Sequence, residues 1–194
     1  MAYYYLTAQL PYLIYGQQAP MTSVAFKSLC ANKLSATDAA LLERCSLDPE
    51  SAASGDKASY AEVSASTGSV FLDEWRAWER TLRLNLARFR AQKQKRDSGS
   101  SVEPPESPAD AAAAAKSAMA LESPLEAEQF LDEMRWRTIE TLQGIDYFDV
   151  NTIYAYLLKL LIMERKSAFK VEEGFAEYKG LYDAILASAS KVGV

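Results

Sequence analysis

The chain predicts an all-α fold: a bundle of about six helices with one long helical hairpin or arm and Ser/Pro-rich connectors. Three observations carry this expectation. Only 8 glycines occur in 194 residues, while the strong helix formers Ala, Leu, Glu and Arg are abundant. Between Val70 and Arg96, Phe71, Trp75, Trp78, Leu82 and Phe89 recur at spacings of four, three, four and seven, the repeat of one helix face. The run Ser123-Pro124-Leu125-Glu126 gives an N-cap, a proline at the first helical position and a capping-box glutamate in succession.

The elements follow in chain order. An uncharged opening places Tyr3, Tyr4, Tyr5, Tyr12 and Tyr15 around Leu10-Pro11-Tyr12-Leu13. Thr22 or Ser23 caps a helix carrying Val24, Phe26, Leu29 and Cys30, because a hydroxyl there can accept from the first free backbone N–H groups. Ser35-Ala36-Thr37-Asp38 starts a second short helix with Ala39, Leu41, Leu42 and Cys45, and the two read as a helical hairpin. Residues 46–68 shift to Ser, Ala, Asp and Gly and read as a connector.

The helix from Val70 is then expected to reach Arg96, roughly 39 Å at 1.5 Å per residue, with Asn85 filling the missing step of its apolar seam. Pro104-Pro105 and several serines end it as a linker. Ala109 to Leu121 contains five consecutive alanines, a helical run with little to bury. The helix opened by Ser123 is expected to end near Leu142, with Gly144 past its end. Asp149 caps the next one, apolar nearly all round from Ile153 to Ile162 and therefore central to the core. A last helix, Val171 to Ala187, carries Phe175, Tyr178, Leu181, Tyr182 and Ile185 on one stripe. The layout reads either as one helical body over residues 1–194 or as two lobes, with 70–142 forming the long-helix arm and the two chain ends packing together.

Composition excludes several kinds of chemistry. There is no histidine, which removes the commonest general base, the commonest metal ligand and the Ser-His and Cys-His nucleophile pairs. Cys30 and Cys45 lack the paired spacing of a zinc site and are too sparse for a disulfide scaffold, so they read as free, partly buried thiols in a reducing cytosol. No glycine-rich phosphate loop occurs, since Gly174 and Gly180 flank Phe-Ala-Glu-Tyr-Lys without a fingerprint. Asp132 with Glu133, and Glu172 with Glu173, are adjacent on helices, diverge around the axis and read as solvated charge. The chain is expected to be non-catalytic and to need no cofactor.

A secretory signal is not expected, because Pro11, Gln9, Gln17 and Gln18 interrupt the opening apolar run. The richest apolar window, Tyr154 to Met163, contains Lys159 and ends at Glu164, short of a membrane span. Direct membrane insertion is therefore not expected either.

Charge is unevenly placed. Val70 to Arg96 holds eight basic and three acidic residues, whereas Asp97 to Val194 holds nine basic and seventeen acidic ones, within a net charge of −5. Arg83, Arg88, Arg90, Lys93, Lys95 and Arg96 cluster towards the end of the long helix. Three readings fit them: a solvated terminus complementing the helix dipole, a protein-docking surface, or a nucleic-acid surface. The last is disfavoured by an isoelectric point near 4.9 and by aromatics that fall on the core seam, not between the basic positions. Lys159, alone in an apolar helix, reads as either a buried functional lysine or a boundary residue whose stem reaches out to a carboxylate.

Two blocks carry a family resemblance. They are Tyr3-Tyr4-Tyr5-Leu6 with Leu10-Pro11-Tyr12-Leu13, Pro20, Phe26, Leu29-Cys30, Leu34-Ser35 and Asp38, and Tyr154-Ala155-Tyr156-Leu157-Leu158-Lys159-Leu160 with Glu164-Arg165 and Gly174. Together they resemble a bacterial family of unknown function encoded among genes for V/A-type ATPase subunits. That family stands where the helical C-type subunit is expected, so the resemblance implies an adaptor seating the rotating central stalk on the membrane ring. The implied partners are other V/A-type ATPase subunits of central stalk and membrane sector. The implied location is cytoplasmic, peripheral to the inner membrane through those partners. An assembly or regulatory factor that binds transiently is the alternative.

Within this reading the basic stretch Arg83 to Arg96 and the exposed part of the opening segment are candidate contact surfaces. Tyr3 to Leu13 is expected to pack on the Ile153 to Met163 helix, making most of the five tyrosines structural.

Overall fold

A computed structural model describes residues 3–48, 66–93 and 108–168. The expected helix Val171 to Ala187 lies outside the described residues, as do Lys95 and Arg96. Among the described residues there are seven helices and no strand: α1 Tyr4–Thr7, α2 Ser23–Cys30, α3 Ala36–Glu43, α4 Val70–Lys93, α5 Ala109–Ala120, α6 Pro124–Gln143 and α7 Val150–Ala168. The all-α expectation holds.

The caps are the ones the hydroxyls dictate. Thr22 Oγ1 accepts from Ala25 N at 3.1 Å, Ser35 Oγ from Asp38 N at 3.1 Å, and Ser123 Oγ from Glu126 N at 3.4 Å, each satisfying an orphan donor of a first turn. Gly144 follows α6 with φ +72°, a left-handed conformation that a side chain would strain. Asp149 Oδ1 accepts from Val150 N at 2.7 Å at the start of α7.

One cluster of buried apolar residues runs through every helix, and α7 is its axis. Ile153 to Leu158 are buried without a break, because the helix is enclosed by α2, α3, α6 and the N-terminal segment. On the other side, α4 buries Phe71, Leu72, Trp75, Trp78, Leu82 and Leu86. The indoles of Trp75 and Trp78 stack with centroids 5.9 Å apart, and their N–H groups donate to Ser46 O at 3.1 Å and Asp110 Oδ2 at 3.0 Å. Asn85, on the same seam, donates to Thr81 O at 2.9 Å, so the polar step in the apolar repeat is satisfied within its own helix.

Two expectations are corrected here. The alanine helix has more to bury than its composition suggested: Ala111, Ala114, Ala115 and Ala118 form a buried stripe against α4. Small side chains let two helix backbones approach closely, so a methyl-lined face buries area that a tally of large residues does not register. The tyrosines of the opening divide, and most are not structural. Tyr3 is buried, its N–H donating to Phe148 O at 2.7 Å and its hydroxyl contacting Asp38 and Ser35 N. Tyr4, Tyr5 and Tyr12 face outward. Leu6, Leu13 and Tyr3 do the anchoring, and Tyr156 donates to Pro11 O at 3.0 Å.

Candidate docking surface

The α6–α7 connection carries unusual residues for a loop. Ile145 is 94% exposed and Tyr147 65%, with Phe148 also outward. The backbone leaves them little choice: Asp146 Oδ1 accepts from Phe148 N at 3.0 Å, Thr152 Oγ1 donates to Asp146 O at 3.0 Å, and Gly144 turns the chain. Opposite this loop lies the N-terminal segment with Tyr12, 86% exposed. The Tyr4 ring meets Phe148 with centroids 4.8 Å apart. Exposed apolar residues scattered singly are ordinary, but contiguous ones mark interaction sites.

Between the loop and the segment is a groove of about 480 Å³, walled by Pro11, Tyr12, Gly144, Tyr147, Tyr156 and Lys159 among others. Its ionisable groups are largely spent. Lys159 Nζ donates to Glu140 Oε1 at 3.2 Å and lies 5.1 Å from the centroid of the Trp136 ring. Burial pushes its pKa below the ordinary lysine value, with Glu140 pulling the other way. Trp136 Nε1 donates to the same Glu140 oxygen at 2.9 Å. The Tyr156 hydroxyl, pushed up to about 12 by burial, is held by Pro11 O. Such a site offers a neutral, aromatic concavity and neither a nucleophile paired to a base nor, among the described residues, a group of three acidic or cysteine side chains able to hold a metal ion.

Behind this surface α4, α6 and α7 are locked by ions. Glu79, on the buried seam of α4, receives Arg135 Nε and Nη2 at 2.9 Å each and Arg83 Nε at 2.9 Å. Arg135 Nη1 donates to Asp132 Oδ1 at 3.1 Å, and Arg165 of α7 contacts the same oxygen. Asp132 is therefore not a solvated charge, as its place in the sequence suggested. It is buried, and it accepts hydrogen bonds from two guanidiniums. Its neighbour Glu133 does face solvent, paired with Arg137.

The sequence-predicted contact residues separate. Arg83 is committed inside the chain, to Glu79, to Asp48 Oδ1 at 3.0 Å and to Leu47 O at 2.9 Å. Arg88, Arg90 and Lys93 are exposed on the last turns of α4. Lys159 has the carboxylate partner that a boundary lysine needs. What sequence reasoning missed is the loop aromatic cluster. Its signal was present, since Ile145, Tyr147 and Phe148 fall between a helix-ending glycine and a capping aspartate, where polar turn residues are the rule.

Comparison with known proteins adds one match. Residues 114–188 match a family described as protein of unknown function, DUF2764. The DUF2764 match begins within α5, contains all of α6 and α7, and takes in the Tyr154 to Arg165 block of the resemblance. Lys159, Glu140 and the whole aromatic loop lie inside it, whereas the N-terminal wall of the groove does not. No curated protein sequence and no solved structure matches the chain.

Proposed function

We propose that the protein is a non-catalytic helical subunit of a rotary V/A-type ATPase, resembling the C-type subunit in coupling the central stalk to the membrane sector. The observation that carries this reading is that the exposed aromatics Tyr12, Tyr147 and Phe148 line one neutral groove, with Ile145 exposed in the same loop, a combination typical of protein-contact surfaces. An ion-locked helical body behind that surface suits a part that transmits force and reacts with nothing. The resemblance of the two sequence blocks names the assembly, and the DUF2764 match covers the second of them. Attachment to the membrane runs through protein partners in this reading, since among the described residues no helix is long and apolar enough to cross a bilayer. No cofactor and no nucleic acid take part.

The test is biochemical. The protein, tagged in its native host, is expected to remain stoichiometric with the ATPase through high-salt washing, and its deletion to uncouple ATP hydrolysis from ion transport. Loss of the protein from an intact, washed and fully coupled complex would overturn the subunit reading in favour of a transient assembly or regulatory factor.

A further inference from the structure

Resting on the docking role just described, we infer that the groove receives one amphipathic helix of a partner, with two or three apolar side chains inside and basic residues along its flank.

Shape limits the occupant first. The α7 wall of the groove runs from Thr152 through Tyr156 to Lys159, about 10 Å at 1.5 Å per residue. That is the length over which a partner helix presents side chains at i, i+3 or i+4, and i+7. An extended peptide has no ladder to join here, because the described walls are helices and irregular chain. Its backbone donors and acceptors would enter unpaired, whereas a helix brings its own satisfied.

Charge then sets the flanks. Inside the groove Lys159 and Glu140 neutralise one another, so no lone ion invites a charged ligand. At the rim the balance is acidic. Asp146 is exposed between the groove residues Gly144 and Tyr147, and Asp149 is half-buried between Phe148 and Thr152. The C-terminal end of α6, at Gln143 and Gly144, opens onto the same side and adds the negative pole of its dipole. Lys33, near the Tyr5 ring, is turned to Gln9. A lysine- or arginine-flanked apolar stripe matches this arrangement, and an acidic one is repelled by it.

The experiment uses the full chain alone, so that it is independent of the ATPase. Three synthetic helical peptides of eighteen residues serve as probes: a leucine stripe with lysine flanks, the same stripe with glutamate flanks, and the lysine version with the stripe changed to serine. Binding is followed by intrinsic tryptophan fluorescence and calorimetry at low salt. The lysine-flanked stripe is expected to bind saturably, in the micromolar range, and both controls at least about tenfold more weakly. Tyr12→Ser and Tyr147→Ser, both exposed and without side-chain hydrogen bonds among the described residues, are each expected to weaken binding about tenfold, while Lys116→Ser, on the exposed face of α5, leaves it unchanged. Absence of binding, equal binding of the glutamate peptide, or indifference to both tyrosine variants overturns the proposal. So does a concentration-dependent dimer abolished by Tyr147→Ser, which would assign the groove to a second copy of this chain. A chain that binds the peptide yet washes off the ATPase overturns the subunit role and leaves the groove standing.

Discussion

Arg135 holds Glu79 in a bidentate pair, both N–H···O distances 2.9 Å, at a point where neither side chain has appreciable contact with solvent. The pair bridges α6 and α4, and through Asp132 it extends to Arg165 on α7. Charges taken out of water cost several kcal/mol each, a cost that their mutual attraction offsets only when geometry and hydrogen bonding are good. Three helices are thereby held in one register by a network of carboxylates and guanidiniums at the core.

Removing one partner should be far worse than removing both. Glu79→Ala takes two of the hydrogen bonds of the buried Arg135 guanidinium and leaves it only Asp132, which Arg165 shares, and is expected to cost about 3–5 kcal/mol in urea denaturation. Glu79→Leu combined with Arg135→Met is expected to recover most of that loss, since Arg83 keeps Asp48 and Arg165 keeps Asp132. A double variant no more stable than Glu79→Ala would refute this account.

The alanine stripe of α5 should tolerate no growth. Ala115 is fully buried against α4, so Ala115→Leu is expected to destabilise by about 1–3 kcal/mol through overpacking. Ala113, on the exposed face, should accept leucine within about 0.5 kcal/mol. Thermal unfolding of the two variants checks the difference.

Acid should loosen the start of α4. Burial by itself would raise the pKa of Asp73, but hydrogen bonds from Ser66 Oγ at 2.6 Å and Thr67 N at 2.7 Å, with Arg76 nearby, hold it below the ordinary carboxylate value. A depressed folded-state pKa means that the stabilisation is fully present above the unfolded value of about 3.9 and is lost as pH falls through the folded value. Asp73→Asn is therefore expected to lower stability at pH 7 and to show a shallower further decline between about pH 4 and pH 2 than the parent chain. Parallel urea midpoints across that range decide it.

Both thiols should be silent until the chain unfolds. Burial pushes Cys30 up to about 11 and Cys45 higher still, and the thiolate is the reactive form. At pH 8 a disulfide reagent is expected to label neither residue in the native protein and both in urea. Rapid native labelling of Cys30 would show that the α2–α7 contact opens readily.

Element type and position were legible because helix signals are local. The hydroxyls of Thr22, Ser35 and Ser123 cap the helices they begin, and the spacing from Phe71 to Leu82 marks the face that α4 buries. The fate of charged and aromatic side chains was less legible, because it depends on what arrives from elsewhere in the chain. Asp132 and Glu133 are neighbours with the same chemistry, yet one meets Arg165 and Arg135 in the core and the other meets Arg137 at the surface. Tyr3 and Tyr4 are likewise neighbours, and only Tyr3 finds Asp38.

The sequence by itself determined an all-helical body, the starts of its helices, an apolar axis at Ile153 to Ile162 and the absence of histidine chemistry. These follow from periodicity, capping and composition, which act over a few residues at a time. Only the tertiary structure decided that the Glu79 network locks three helices, that Arg83 is used internally, and that Tyr12, Tyr147 and Phe148 surround one groove. Those outcomes require distant segments to meet, 33 to 56 residues apart in the ion network and 145 apart where Tyr156 reaches Pro11, and burial or exposure of a side chain is a property of the meeting and not of the residue.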